Sequence, residues 1–163
     1  MRKPIRTLSG ILALALSLTN AHAASTSTSF QVTATVGTAC TVSAANLDYG
    51  TYNPLALLPT SVTTTVTVQC TLLAAYTVGL SAGSGSGATV AVRKMTKGGD
   101  TLAYSLYQDA AHLLVWGDSI GTDTIAGVGT GLAVPHVVYG QIPALQNVNA
   151  GSYSDTIVVS VNY

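Results

Sequence analysis

The sequence predicts an all-β fold, an antiparallel sandwich. Several segments alternate apolar and polar residues with a period of two, none sustains a helical period, and the stretches between them are rich in Gly, Pro, Asn and Ser. Composition agrees: the chain has no Glu and few charges, so its surface must be made largely of Thr, Ser, Gly, Asn and Gln, which suits a β-rich exported protein.

The first 23 residues read as a secretory signal peptide. Arg2, Lys3 and Arg6 form a basic start, residues 8–18 an apolar run, and Ala21-His22-Ala23 a small-residue cleavage site. A membrane span needs about twenty apolar residues, roughly twice what this run offers. Cleavage after Ala23 leaves residues 24–163, enough for one domain with a real core. No internal repeat or linker divides it.

Next comes "STSFQVTATV", residues 27–36, in which Phe30, Val32, Ala34 and Val36 alternate with polar residues. It reads as a strand, either the first of the sandwich or one in search of another sheet. Gly37 separates it from the strand around Cys40. Residues 62–70, "VTTTVTVQC", place Val62, Val66, Val68 and Cys70 on one face; Tyr76, Val78 and Leu80 do the same in 76–80, and Leu102, Tyr104 and Leu106 in 102–107. Loops are expected at "NPLALLP" (53–59), "SAGSGSG" (81–87), "KGGD" (97–100) and "AGVGTG" (126–131). At the end, "SYSDTIVVSVNY" puts Ile157, Val159, Val161 and Tyr163 on one phase, broken only by Val158. An apolar face on the final strand needs something to cover it.

Without the leader, Arg93, Lys94 and Lys97 face Asp48, Asp100, Asp109, Asp118, Asp123 and Asp155, a formal net charge of −3. That argues strongly against nucleic acid as a partner, since binding it needs a basic face to displace counterions. Cys40 and Cys70 are the only cysteines, and an even count in an exported chain predicts one disulfide. Closing that loop stabilises the fold by about 3 to 4 kcal/mol. A zinc site is the poorer reading, since no pair of histidines lies near.

Three motifs suggest chemistry and lack its context. "GDSIG" (117–121) fits a nucleophile elbow at Ser119, followed by Asp123 and His136, but the elbow requires a strand before the serine and a helix after it. The stretch after it is loop-like, and Ser119 is read as a turn residue. "GSGSGA" (83–88) satisfies a dinucleotide fingerprint, yet "TVAV" (89–92) after it looks like a strand, not a helix. His112 and His136 are isolated and read as surface or edge residues. The Asp residues lack calcium-loop spacing, and no catalytic set, metal site or cofactor site emerges.

Several stretches carry a family resemblance: "ACTVS" (39–43), "LDYGTYNP" (47–54), "VTVQC" (66–70), "LAYSLYQDAAHLLVWGD" (102–118), "YGQIP" (139–143) and "GSYSDTIVVSVNY" (151–163). Together they resemble the spore coat U family, which includes the Csu-type pilins of archaic chaperone-usher pili. The match runs over residues 39–163, and its most specific part is the closing G-x-Y-x-D-T with an alternating strand to the end.

The resemblance implies an incomplete immunoglobulin-like sandwich that lacks its last strand and is completed by a donor strand from another subunit. It implies a structural pilus subunit and not an enzyme, with other pilin subunits, a periplasmic chaperone and an outer-membrane usher as partners. Export through the periplasm to a surface pilus follows, with roles in adhesion and biofilm formation. Carried onto this chain, residues 1–23 are the signal peptide, 24–37 the donor extension and 38–163 the pilin domain. Phe30, Val32, Ala34 and Val36 are the donor residues, Cys40 pairs with Cys70, and Ile157, Val159, Val161 and Tyr163 border the groove. The other reading is a secreted coat or binding module of the same fold that forms no pili, and a third is a small hydrolase using Ser119.

Overall fold

A computed structural model describes residues 23–163; the expected signal peptide, apart from Ala23, lies outside the described residues. The chain divides into two units, Met1–Thr35 and Val36–Tyr163. In the first, the described residues form no strand, and Phe30, Val32, Ala34 and the adjoining Val36 are exposed. Residues 27–36, read as a strand, therefore take part in no ladder, which overturns their reading as the first strand of the sandwich.

The second unit consists of eight strands: β1 (Cys40–Ala44), β2 (Thr60–Cys70), β3 (Ala75–Leu80), β4 (Arg93–Lys97), β5 (Asp100–Tyr107), β6 (Ile125–Val128), β7 (Ala133–Ile142) and β8 (Val159–Asn162). They form a five-stranded sheet in the order β1-β2-β7-β5-β4 and a three-stranded sheet in the order β6-β3-β8. Every pairing is antiparallel, and no helix occurs among the described residues. This is the predicted all-β sandwich.

Alternation explains the core. Val66, Val68 and Cys70 of β2, Tyr76, Val78 and Leu80 of β3, and Leu102, Tyr104 and Leu106 of β5 all turn inward and are buried with Val138 and Ile142 of β7. Burying each Val or Leu contributes roughly 1.5 to 3 kcal/mol. Trp116 fills the space between the sheets with no exposed surface, and its indole N–H donates to the Val78 carbonyl at 2.9 Å.

Cys40 and Cys70 are bonded, and they face each other in the β1–β2 register. β1 is the edge of its sheet, so Val42, on the apolar phase with Cys40, is nonetheless 41% exposed.

Two local expectations are corrected. "AGVGTG" is not wholly a loop, because Ala126, Gly127 and Val128 belong to β6 and pair with β3. Gly127 is there because the Tyr76 ring lies where its Cβ would be, a close approach that only glycine permits. "TVAV" is not a strand. Its backbone bends, with the Val90 and Ala91 carbonyls turned to accept from Arg93 and Ser105.

Candidate functional site

β8 follows from a crossing. Ser154 bridges Thr96 of β4 through reciprocal backbone hydrogen bonds of 2.8 and 3.1 Å, after which the chain passes to the other sheet and pairs with β3, Val159 opposite Leu80 and Val161 opposite Val78. β3 occupies one side of β8, and its other edge has no ladder partner among the described residues. The ladder is shorter than the alternation suggests: Ile157 precedes it, and Tyr163 lies beyond it and is 62% exposed.

Beside that edge lies a groove of about 710 Å³. Its floor is the inner face of the larger sheet, with Val66, Val138 and Leu106 from three adjacent strands. Ile157 and Val159 contribute to one wall and residues 44–49 to another. A second depression of about 550 Å³, reaching Pro54 and Ile142, adjoins the first and shares Leu47, Asp48, Tyr49, Met95 and Tyr153 with it. Of the residues read as bordering a groove, Ile157 and Val159 do line it. Val161 packs against the core, and Tyr163 is outside.

Sequence reasoning missed residues 47–49, although "LDYGTYNP" was among the stretches that carried the resemblance. Leu47 and Tyr49 lie where a Cβ on Gly140 of β7 would be, so glycine in a central strand lets this segment settle onto the sheet. The Tyr49 hydroxyl is buried without a hydrogen-bond partner, and desolvation pushes its pKa well above the ordinary tyrosine value.

Asp155 fixes the wall. Its carboxylate accepts from the Ser84 N–H at 2.7 Å, the Ser84 hydroxyl at 2.8 Å, the Tyr104 hydroxyl at 2.8 Å and its neighbour Thr156 N–H at 2.7 Å. Burial acts to raise its pKa, but these hydrogen bonds outweigh it and hold the carboxyl below its usual value. Since the folded pKa is depressed, the stability Asp155 contributes is present above the unfolded value of about 4 and is lost as pH falls from there through the folded value. Urea midpoints should therefore drop more steeply as pH falls below about 4 in the native chain than in Asp155→Asn. Parallel acid profiles would show that Asp155 is not the linkage.

The loop "GSGSGA" thus anchors Asp155. Ser119 sits in a turn: its N–H donates to Asp123 Oδ1 at 2.7 Å, and the Asp123 N–H returns to its carbonyl at 3.2 Å. His136 is half-buried on the central strand β7, not at the surface or an edge, with Nε2 3.1 Å from the Tyr76 hydroxyl. Desolvation lowers its pKa. His112 is half-buried in the β5–β6 connection, edge-on to Tyr107. Among the described residues no group of three His, Cys, Asp or Glu could hold a metal ion, and no helix is long and apolar enough to cross a membrane.

A trough with an apolar floor beside an unpaired strand edge can accept an extended segment, with backbone hydrogen bonds setting register and alternate side chains meeting the floor. The fold has a solved counterpart: a chaperone–tip adhesion subunit pre-assembly complex from the archaic chaperone-usher Csu pili of Acinetobacter baumannii. The similarity has a TM-score of 0.60 at 22% identity and covers 79% of this chain and 40% of that one. Protein U of Myxococcus xanthus is 36% identical over 158 residues, 88% of each chain. The Spore Coat Protein U domain matches residues 26–160. This chain belongs to the spore coat protein U domain family.

Proposed function

We propose that the protein is a structural subunit of a chaperone-usher surface pilus that polymerises by donor-strand exchange and supports adhesion and biofilm formation. The observation that carries this reading is the trough alongside the unpaired edge of β8, in a chain that also has an exposed, alternating apolar segment at residues 27–36. Residues 1–23 direct export, 24–37 form the donor extension, and 38–163 the receiving fold. Phe30, Val32, Ala34 and Val36 of one copy enter the trough of the next, beside Ile157 and Val159. A periplasmic chaperone covers the trough until an outer-membrane usher hands the subunit on. The catalytic reading fares poorly, because Asp123 is committed to the turn around Ser119 and His136 to Tyr76.

Joining residues 24–36 after Tyr163 through a short Gly/Ser linker, and removing them from the front, tests the reading. The chain should fill its own trough and yield a stable monomer that forms no fibres, read by size-exclusion chromatography and electron microscopy. A relocated chain that still forms fibres or aggregates would count against the donor assignment.

A further inference from the structure

Both ends of the sandwich carry uncharged loops with exposed leucines. At the end where β2 begins, Leu55, Leu57 and Leu58 are 82, 81 and 76% exposed; at the end where it finishes, Leu72, Leu73 and Leu132 are 71, 78 and 71% exposed. Eleven residues of β2 separate the two ends by about 35 Å. Leu73 also sits in the left-handed region that favours glycine, at φ 64°, as does Leu145, at φ 58°, in the loop that follows β7. The conformation carries strain of order 1 kcal/mol or more. Exposed leucines at both ends offer apolar surface to a contact outside the chain.

Chain geometry says what supplies it. Ala39 is already tied to the second end, its carbonyl accepting from Thr71 N–H at 2.9 Å, so residues 37–39 alone join the extension to the body and span at most about 10 Å. All pairings in the fold are antiparallel. A donor antiparallel to β8 places its Val36 end at the Val159 end of that strand, opposite Leu80, which is the end of the molecule where β2 begins. There the adjoining second depression reaches Pro54, next to Leu55. The short tether then brings the Leu72 end of the donating copy against the Leu55 end of the receiving copy. Different surfaces meet, as an open, repeating assembly requires.

We infer that successive copies of this chain pack end to end, Leu55, Leu57 and Leu58 of one copy against Leu72, Leu73 and Leu132 of the next. This rests on the strand-exchange reading. A chain carrying both Leu57→Cys and Leu72→Cys tests it, since the two sites are too far apart to bond within one copy. Boiled, unreduced fibres should give a ladder of covalent multimers that reducing agent collapses. Fibres without a ladder would overturn the end-to-end contact and leave strand exchange standing. Absence of fibres from the native chain would overturn both. As a second variant, Leu57→Ser with Leu58→Ser leaves the core untouched and should give fibres that bend more sharply between subunits; unchanged bending would also overturn the contact.

Discussion

Fibres should be lost in Val32→Asp while the subunit still reaches the periplasm and binds chaperone. In the proposed exchange Val32 enters a trough floored by Val66, Leu106 and Val138. The substitution removes an apolar burial worth roughly 1.5 to 3 kcal/mol. It also puts a carboxylate where no cation waits, at a cost of several kcal/mol more. Thr33→Asp, on the polar phase of the same segment, should assemble normally. Electron microscopy of cells making each variant reads the result. Normal fibres from Val32→Asp, or equal loss from Thr33→Asp, would mean that residues 27–36 do not insert with this phase.

Arg93→Met should destabilise the self-complemented monomer by about 3 kcal/mol or more. Arg93 has no exposed surface, and its guanidinium donates to four carbonyls: Ser81 at 2.8 Å, Val90 at 2.8 Å, Leu80 at 3.0 Å and Trp116 at 2.7 Å. The one ion pair among the described residues, Lys97 with Asp100, lies elsewhere, so carbonyls and not a carboxylate satisfy this buried cation. Burial pulls its pKa down, opposed by Tyr104 and by the carboxylates of Asp118, Asp155 and Asp123. Losing the charge relieves its desolvation but leaves the carbonyls at the ends of β3 and of the Trp116 segment unpaired. Arg93→Lys should lose most of the same stability, because a single ammonium cannot span a planar fork's partners. Urea unfolding decides it: a lysine variant with the native midpoint would show that charge alone suffices.

Legibility in the sequence followed burial. β2, β3 and β5 could be read because each turns one face to a dry core, so the period of two is strict where Val66, Tyr76 or Leu106 must be inside. β6 could not, since Gly127 is set by the Tyr76 ring across from it and not by any local preference. Arg93 entered the sequence reading only as a charge in a sum, and Asp155 as a charge and as the unexplained D of the closing G-x-Y-x-D-T. Their roles depend on partners such as Leu80 and Trp116, or Ser84 and Tyr104, which the fold alone brings near. The final strand was legible as an apolar phase. That Ile157 and Val159 reach the trough while Tyr163 does not depends on the crossing at Ser154, which no periodicity records.

In the proposed fibre the position of the disulfide would have a mechanical meaning. Traction on a chain of such subunits would arrive through residues 37–39 at Cys40, the first residue of a five-residue edge strand. A ladder that short, loaded at its end, could be torn loose one hydrogen bond at a time. The Cys40–Cys70 bond instead hands the pull covalently to β2, which runs the length of the sandwich between β1 and β7 and must slide as a whole to yield. The short edge strand β1 is thus kept out of the line of force.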